Sequence, residues 1–407
     1  MARRGLGAWV FAYAVLVAYG TLFPLVGWRF PAWDEWARSF LALPTHLSRS
    51  DLLTNALVYV PLGWGIAVMR LRRGAGSGEA VLAAGALGGL WSLGLEFLQT
   101  FLPARVSSVG DLVLNVFGSV VGAGLAVQFC GDGRAPGALG RWARRFRNER
   151  VEPGPRGDGA LVALGLWAGG QLFPFAPSID VGDLKHGLRP LYYTLRDPVG
   201  FHVGHAAEYA LAVLAIGLIW ASVARGRRAM LWLGAGVAGV LLGKVPVVGR
   251  QLSAEALAGA AVGWLAAWRL SQRRPGPLLT GATLVGFVLV AGLRPGTPPP
   301  SGFHGIEWVP FRAQMTSLGG LVDLAAGAWP YYALGWLAAF GGGGSSKQIS
   351  GGLGIVALAL AVEVAQQWIP GRVPDATDAL VALLAWHLAW VVARKNGALS
   401  GPRRKGS

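Results

Sequence analysis

The sequence predicts an all-α fold, a polytopic transmembrane helical bundle of about twelve spans built as three tandem four-helix units. Three observations predict it. The chain is 53% hydrophobic and 14% charged, with a mean hydropathy of +0.47, which sets it apart from soluble globular domains. Apolar runs of spanning length follow one another, separated by short loops. A charged motif also occurs twice. Residues 96–111 read E-F-L-Q-T-F-L-P-A-R-V-S-S-V-G-D, and residues 363–378 read E-V-A-Q-Q-W-I-P-G-R-V-P-D-A-T-D.

The motif places Glu96, Gln99, Pro103, Arg105 and Asp111 in register with Glu363, Gln366, Pro370, Arg372 and Asp378, all at one offset (363−96 = 267). Upstream, D-L-L-T-N-A-L-V-Y-V-P-L-G-W at 51–64 is matched by D-L-A-A-G-A-W-P-Y-Y-A-L-G-W at 323–336. Ionisable side chains beside bilayer hydrocarbon are costly, so their recurrence points to a site.

The first unit, 1–135, holds apolar runs at 6–26, 52–69, 80–102 and 110–130. The first run follows Arg3 and Arg4 as a signal peptide would. Its length and the lack of a small-residue cleavage site make it a retained span. Residues 136–158 form a basic linker rich in Arg, Gly and Pro. The second unit, 159–275, holds runs at 159–177, 203–223, 229–247 and 252–270. The third, 276–395, holds runs at 277–293, 318–340, 351–369 and 376–393, and 396–407 is a basic tail. Glycines spaced four apart, such as Gly118/Gly122 and Gly259/Gly263, suit close helix packing.

The net charge of +16 does not indicate nucleic-acid binding, because it is spread over short loops between apolar runs. Arg70, Arg72 and Arg73, the run Arg141 to Arg150, Arg225 to Arg228, Arg269 to Arg274 and both termini define one basic face. The positive-inside rule makes that face cytoplasmic, with both ends inside, and leaves 27–50, 103–109, 174–202, 246–251, 294–317 and 370–375 outside. The chain is therefore expected to be a multi-pass membrane protein with both termini cytoplasmic. Four spans per unit is an even number, so all three units share one orientation and their pseudosymmetry axis lies along the membrane normal. Cys130 is the sole cysteine, so no intrachain disulfide forms.

Glu96 and Gln99 share a helix face, and Asp111 and Asn115 share another. Asp51 and Asn55 open the second helix at the same outer level. These residues and Arg105 are expected to form one polar pocket, with Glu96 the deepest carboxylate and Arg105 its partner. Each has a bland alternative. Ser108-x-x-Asp111 has the form of a capping box, Arg105 suits a helix C-terminus, and Pro103 suits a helix stop. Glu96, about two turns inside an apolar run, is the hardest to explain away.

The second unit carries fainter counterparts: His205-x-x-x-Tyr209 for Asn55-x-x-x-Tyr59, Pro246 and Arg250 for Pro103 and Arg105, and Glu255 for Asp111. Gly239 takes the Glu96 position when the prolines are aligned. In the third unit Gly327 replaces Asn55 and Ala382 replaces Asn115. His202, His205 and Glu208 roughly follow one face, but without the H-E-x-x-H pattern they read as hydrogen-bonded residues rather than metal ligands. Lys244 reads as a snorkelling or paired lysine. Trp9, Trp28, Trp33, Trp36, Trp308 and Trp368 read as interface anchors. No metal and no cofactor are expected, and nothing in the sequence fixes an oligomeric state.

Asn55, Tyr59, Pro61 and Gly63, with Glu96, Gln99, Pro103, Arg105, Asp111 and Asn115, resemble the VanZ-like family of bacterial membrane proteins. The resemblance is close over residues 10–130. It extends to the second unit through His205 and Tyr209, and to the third through Trp308 to Phe311 and Glu363 to Asp378. It implies a role in the bacterial envelope. The family's founder is linked to low-level resistance to the glycopeptide teicoplanin, and some relatives accompany polysaccharide-export or protein-sorting systems. No reaction is implied by the resemblance.

Three functions are in competition. One is a binding protein that holds membrane lipids, a lipid-linked envelope precursor or a glycopeptide against Asn55, Glu96, Gln99, Arg105, Asp111 and Asn115. Glu363, Gln366, Arg372 and Asp378 would form a secondary site. Another is an enzyme on a lipid-linked cell-wall or polysaccharide precursor with Glu96 as general acid or base. The third is a transporter, which three four-helix units fit poorly.

Overall fold

The computed structural model describes residues 3–22, 25–30, 49–103, 107–131, 135–173, 175, 177–178, 180–273, 276–296, 305–312, 318–341 and 345–395. Among these, fourteen α-helices and one 3-10 turn carry the fold, with no strand. The chain divides into two compact units, Met1–Arg147 and Asn148–Ser407.

The first unit contains α1 (Arg3–Leu22), α2 (Arg49–Arg72), α3 (Ser77–Gln99) and α4 (Val109–Cys130). α2 packs on α4 and α3, α1 packs on α2 and α3, and α3 packs on α4. The tightest crossing is made by missing side chains. A Cβ on Gly118 would lie 2.0 Å from the Ala56 carbonyl oxygen, and one on Gly122 would lie 2.0 Å from that of Val60. Two backbones in such contact need no side-chain layer between them. Tyr59, Leu62, Ile66, Leu95 and Ala123 fill the interior. The outer surfaces of α3 and α4 are apolar instead, with Leu82 75% and Val113 62% exposed. A helix apolar on its exposed side is solvated by lipid.

α5 (Ala138–Arg150) occupies the segment expected to be a linker. Its face of Arg141, Arg144, Arg145 and Arg147 is too polar to span, so it escapes a search for apolar runs.

The second unit contains α6 (Pro155–Leu172), α7 (Val181–Arg196), α8 (Val203–Val223), α9 (Ala229–Gly243) and α10 (Ala254–Ser271). It continues with α11 (Pro277–Leu293), α12 (Leu318–Phe340), α13 (Ser345–Gln366) and α14 (Ala376–Lys395). α8 crosses α10 as α2 crosses α4, with Gly259 and Gly263 set against the carbonyls of Ala206 and Ala210. α12 crosses α14, where Gly335 meets Trp386. α6 also packs on α12, and α8 on α11. Trp167, Ile216, Trp329, Tyr332, Trp336, Trp386 and Trp390 are buried here.

Twelve of the fourteen helices fall on the twelve apolar runs. Among the described residues, five are long and apolar enough to cross a membrane: Ser77–Gln99, Val109–Cys130, Val203–Val223, Ser346–Gln366 and Ala376–Ala393. Leu6–Leu22, Ala229–Gly243 and Pro277–Leu293 are apolar but shorter.

Candidate functional site

The polar residues of the first unit meet where α2 begins, α3 ends and α4 begins. Glu96 lies one turn before the end of α3 and is 3% exposed. Its Oε2 accepts the backbone N–H of Ser108 at 2.9 Å. Ser108 is the N-cap of α4, and its hydroxyl accepts the Gly110 N–H at 3.0 Å. The acid therefore ties the end of one helix to the start of the next, at a place where N–H groups lack intrahelical partners. Ser108, not Asp111, does the capping.

Asp111 instead accepts from Asn55 Nδ2, on α2, at 2.5 Å. One turn further along α4, Asn115 Nδ2 donates to Ser92 Oγ, on α3, at 2.8 Å. Tyr59 lies beside Ser92. Gln99 Nε2 donates to the Thr21 carbonyl, near the end of α1, at 3.0 Å. Two side-chain amide oxygens are left over. Gln99 Oε1 and Asn115 Oδ1 are buried without a hydrogen-bond partner among the described residues. Arg105, the expected partner of Glu96, lies outside the described residues, as do the side chains of Asp51 and Asp323.

The counterparts on α13 and α14 behave alike. Glu363 is 2% exposed, and its Oε2 accepts the Asp375 N–H at 2.6 Å. Asp375 accepts the Thr377 N–H at 2.6 Å and so begins α14. Gln366 Nε2 donates to the Gly292 carbonyl, near the end of α11, at 3.1 Å. Arg372 Nε donates to the Arg294 carbonyl at 2.8 Å, and its Nη2 donates to that of Ala291. Gly327 supplies no amide at the Asn55 position, and here the Asp378 carboxyl lies near Glu363.

In 159–275 the acid is missing. Counted nine residues back from the arginine, as Glu96 is from Arg105 and Glu363 from Arg372, the position is Leu241 (250−9); counted from the proline it is Gly239. Arg250 nonetheless acts as Arg372 does. Its Nε donates to the Phe173 carbonyl at 2.7 Å, and its Nη2 donates to that of Gly170, at the end of α6. Lys244 is 5% exposed and donates to Tyr209 Oη at 2.6 Å and to Gln171 Oε1 at 3.3 Å. It is a paired, buried lysine.

Glu255 differs from its expected role. Ser253 caps α10, which sets Glu255 two residues after the cap, whereas Asp111 stands three after Ser108. Its Oε1 accepts the His202 N–H at 3.1 Å. His205 and Glu208 both meet the Arg294 guanidinium; Arg294 Nε lies 3.1 Å from Glu208 Oε2. Among the described residues no three His, Cys, Asp or Glu side chains converge as metal ligands. Trp9, Trp28, Trp308 and Trp368 are exposed, while Trp33 and Trp36 lie outside the described residues.

The carbonyl partners of Gln99, Gln366, Arg250 and Arg372 escaped the sequence reading, because backbone acceptors leave no trace in residue identity. One signal was available. Gln99, Lys244 and Gln366 each stand six residues before an arginine (105−99, 250−244, 372−366).

Carboxylates, amides, a tyrosine and capped helix ends can hold a ligand rich in hydroxyl, amide or phosphate groups. Residues 10–130 match the family model described as VanZ/LLP1. No curated protein and no solved structure matches the chain.

Proposed function

We propose that this chain, a multi-pass membrane protein that is VanZ-like over residues 10–130, is a binding protein of the bacterial envelope. Its pocket between α2, α3 and α4 takes the polar headgroup of a lipid, of a lipid-linked precursor, or of a glycopeptide. The observation that carries this reading is a pair of buried acceptors near Glu96, Gln99 Oε1 and Asn115 Oδ1, that have no hydrogen-bond partner among the described residues. A buried acceptor left unmet costs about 1–3 kcal/mol, so a site that keeps two gains from a donor-bearing ligand. Hydroxyl and amide groups are such donors.

The positive-inside distribution supports an inner-membrane location with both termini in the cytoplasm, which puts this pocket on the outer side. The matching bonds of Glu96 and Glu363, and of Arg250 and Arg372, support an origin of the twelve apolar helices in three related quartets: 1–135, 159–275 and 276–395. On that view Glu363, Gln366, Arg372 and Asp378 line a secondary pocket. The family's link to teicoplanin supports a role in glycopeptide tolerance.

The test is lipid identification by mass spectrometry on the purified protein. Wild type should retain a headgroup-bearing lipid or precursor that Asn115→Leu and Gln99→Leu lose while staying folded. Retention by both variants would overturn the pocket. Incubation with lipid-linked precursors separates binding from catalysis, since only an enzyme yields a product that Glu96→Gln abolishes.

A further inference from the structure

α7 has no counterpart among the apolar runs, and its placement is unusual. It spans only 16 residues and carries Lys185, Arg189 and Arg196, so it cannot cross a bilayer. It lies between the end of α6 and the start of α8, against the turn that joins α9 to α10. Gly187 is buried there: a Cβ on it would lie 2.4 Å from the Val245 carbonyl oxygen, and its own carbonyl accepts the Leu252 N–H at 2.8 Å. The Ser178 N–H donates to the Pro246 carbonyl at 2.6 Å. The helix is thus pinned at the level where the neighbouring apolar helices end.

Its free faces are sorted. Val181, Leu188 and Leu195, seven residues apart, form one stripe and are 64%, 42% and 71% exposed. Lys185, Arg189 and Arg196 form the adjoining stripe. Beyond it an open cavity of about 630 Å³ is lined by Lys185, His186, Arg189, Tyr192 and Tyr193. The Arg189 guanidinium lies over the Tyr193 ring at 5.5 Å, and Arg196 Nη1 donates to Tyr192 Oη at 3.2 Å. Leucines below, cations at the next level and tyrosines alongside match the layers of a membrane interface: acyl chain, phosphate and headgroup.

We infer that α7 is an interfacial helix whose basic stripe holds the phosphate of an anionic phospholipid. The acids at its two caps, Asp180 and Asp197, accept the backbone N–H groups of Gly182 at 2.7 Å and Val199 at 3.2 Å; between the caps three cations face a single acid, Asp183. That acid is engaged by Ser178 Oγ at 2.5 Å. The exposed leucines account for a lipid rather than free phosphate, since a soluble anion would leave them in water. This site is separate from the pocket at Glu96, and neither depends on the other.

The test uses the full-length protein in vesicles of phosphatidylcholine, alone or mixed with phosphatidylglycerol. In a Cys130→Ser background, a fluorophore on Leu188→Cys should be quenched by acyl-chain spin labels. Spin-labelled phosphatidylglycerol should associate about tenfold better than phosphatidylcholine, a modest return for three cations at a surface. The preference should vanish in Lys185→Gln/Arg189→Gln/Arg196→Gln and persist in the charge-preserving Lys185→Arg/Arg189→Lys/Arg196→Lys. An unquenched label at 188 would remove α7 from the interface. A quenched label without headgroup preference would overturn the phosphate site.

Discussion

The Glu363 carboxylate accepts the backbone N–H of Asp375 at 2.6 Å, twelve residues further along the chain. Glu96 and Ser108 repeat that bond at 2.9 Å over the same separation. In both, a buried acid joins the end of one apolar helix to the N-cap of the next. The acid thus has a structural task whatever else it does. Replacing Glu363 by Ala leaves the Asp375 N–H without its acceptor and should cost about 1–3 kcal/mol. Glu363→Gln keeps an acceptor and should cost less. Thermal unfolding in detergent should rank wild type, Gln, Ala in falling order; equal melting of Ala and wild type would refute the tie.

Arg250 and Arg372 each bond two carbonyls three residues apart, at the ends of α6 and α11. Helix ends carry orphan carbonyls and partial negative charge, and a planar guanidinium reaches two at once. Lysine offers a single point charge. Arg372→Lys should therefore lose one charge-assisted bond, about 1–3 kcal/mol, and Arg372→Met more. The midpoint of chemical denaturation in micelles checks this. A lysine variant as stable as wild type would show that charge alone suffices.

The glycine contacts separate packing from composition. Gly118→Ala places a methyl 2.0 Å from the Ala56 carbonyl oxygen, where rigid backbone cannot give way. Gly124, two turns from the helix end, has nothing within 4 Å. Gly118→Ala should reduce the yield of folded protein severalfold, as overpacking commonly does, while Gly124→Ala leaves it unchanged. Size-exclusion chromatography of the solubilised membrane fraction reads both.

Much of the bundle was legible, because a spanning helix writes itself as a long apolar run, and α8, α11 and α12 start and stop where their runs do. Glu96 and Glu363 were legible as buried because the chain repeats them. α5 and α7 were not, since amphipathic helices mix charge with leucine and resemble loops to a hydropathy reading. Pro190 also lies inside α7, where a proline in sequence argues against a helix. The partners of Arg250 and Arg372 were hidden for another reason: an arginine in sequence suggests a carboxylate, whereas here it meets carbonyl oxygens, whose positions only the fold determines.

Lys244 gives the sharpest test of the proposed relatedness of the three four-helix segments. Gln99 reaches the Thr21 carbonyl, Gln366 the Gly292 carbonyl and Lys244 the Gln171 side chain, each from six residues before an arginine and each toward the end of a helix, α1, α11 and α6 in turn. If these are one position, glutamine belongs there. Lys244→Gln should then be tolerated, with the amide free to bond Gln171 or its carbonyl. Lys244→Met is nearly isosteric but has no donor; it strips the Tyr209 hydroxyl and Gln171 of a buried partner and should cost about 1–3 kcal/mol. Melting temperatures of the two variants decide it. If glutamine harms the protein as much as methionine does, the shared spacing is coincidence. The lysine would then owe its place to its charge, held against the Tyr209 ring at 5.1 Å.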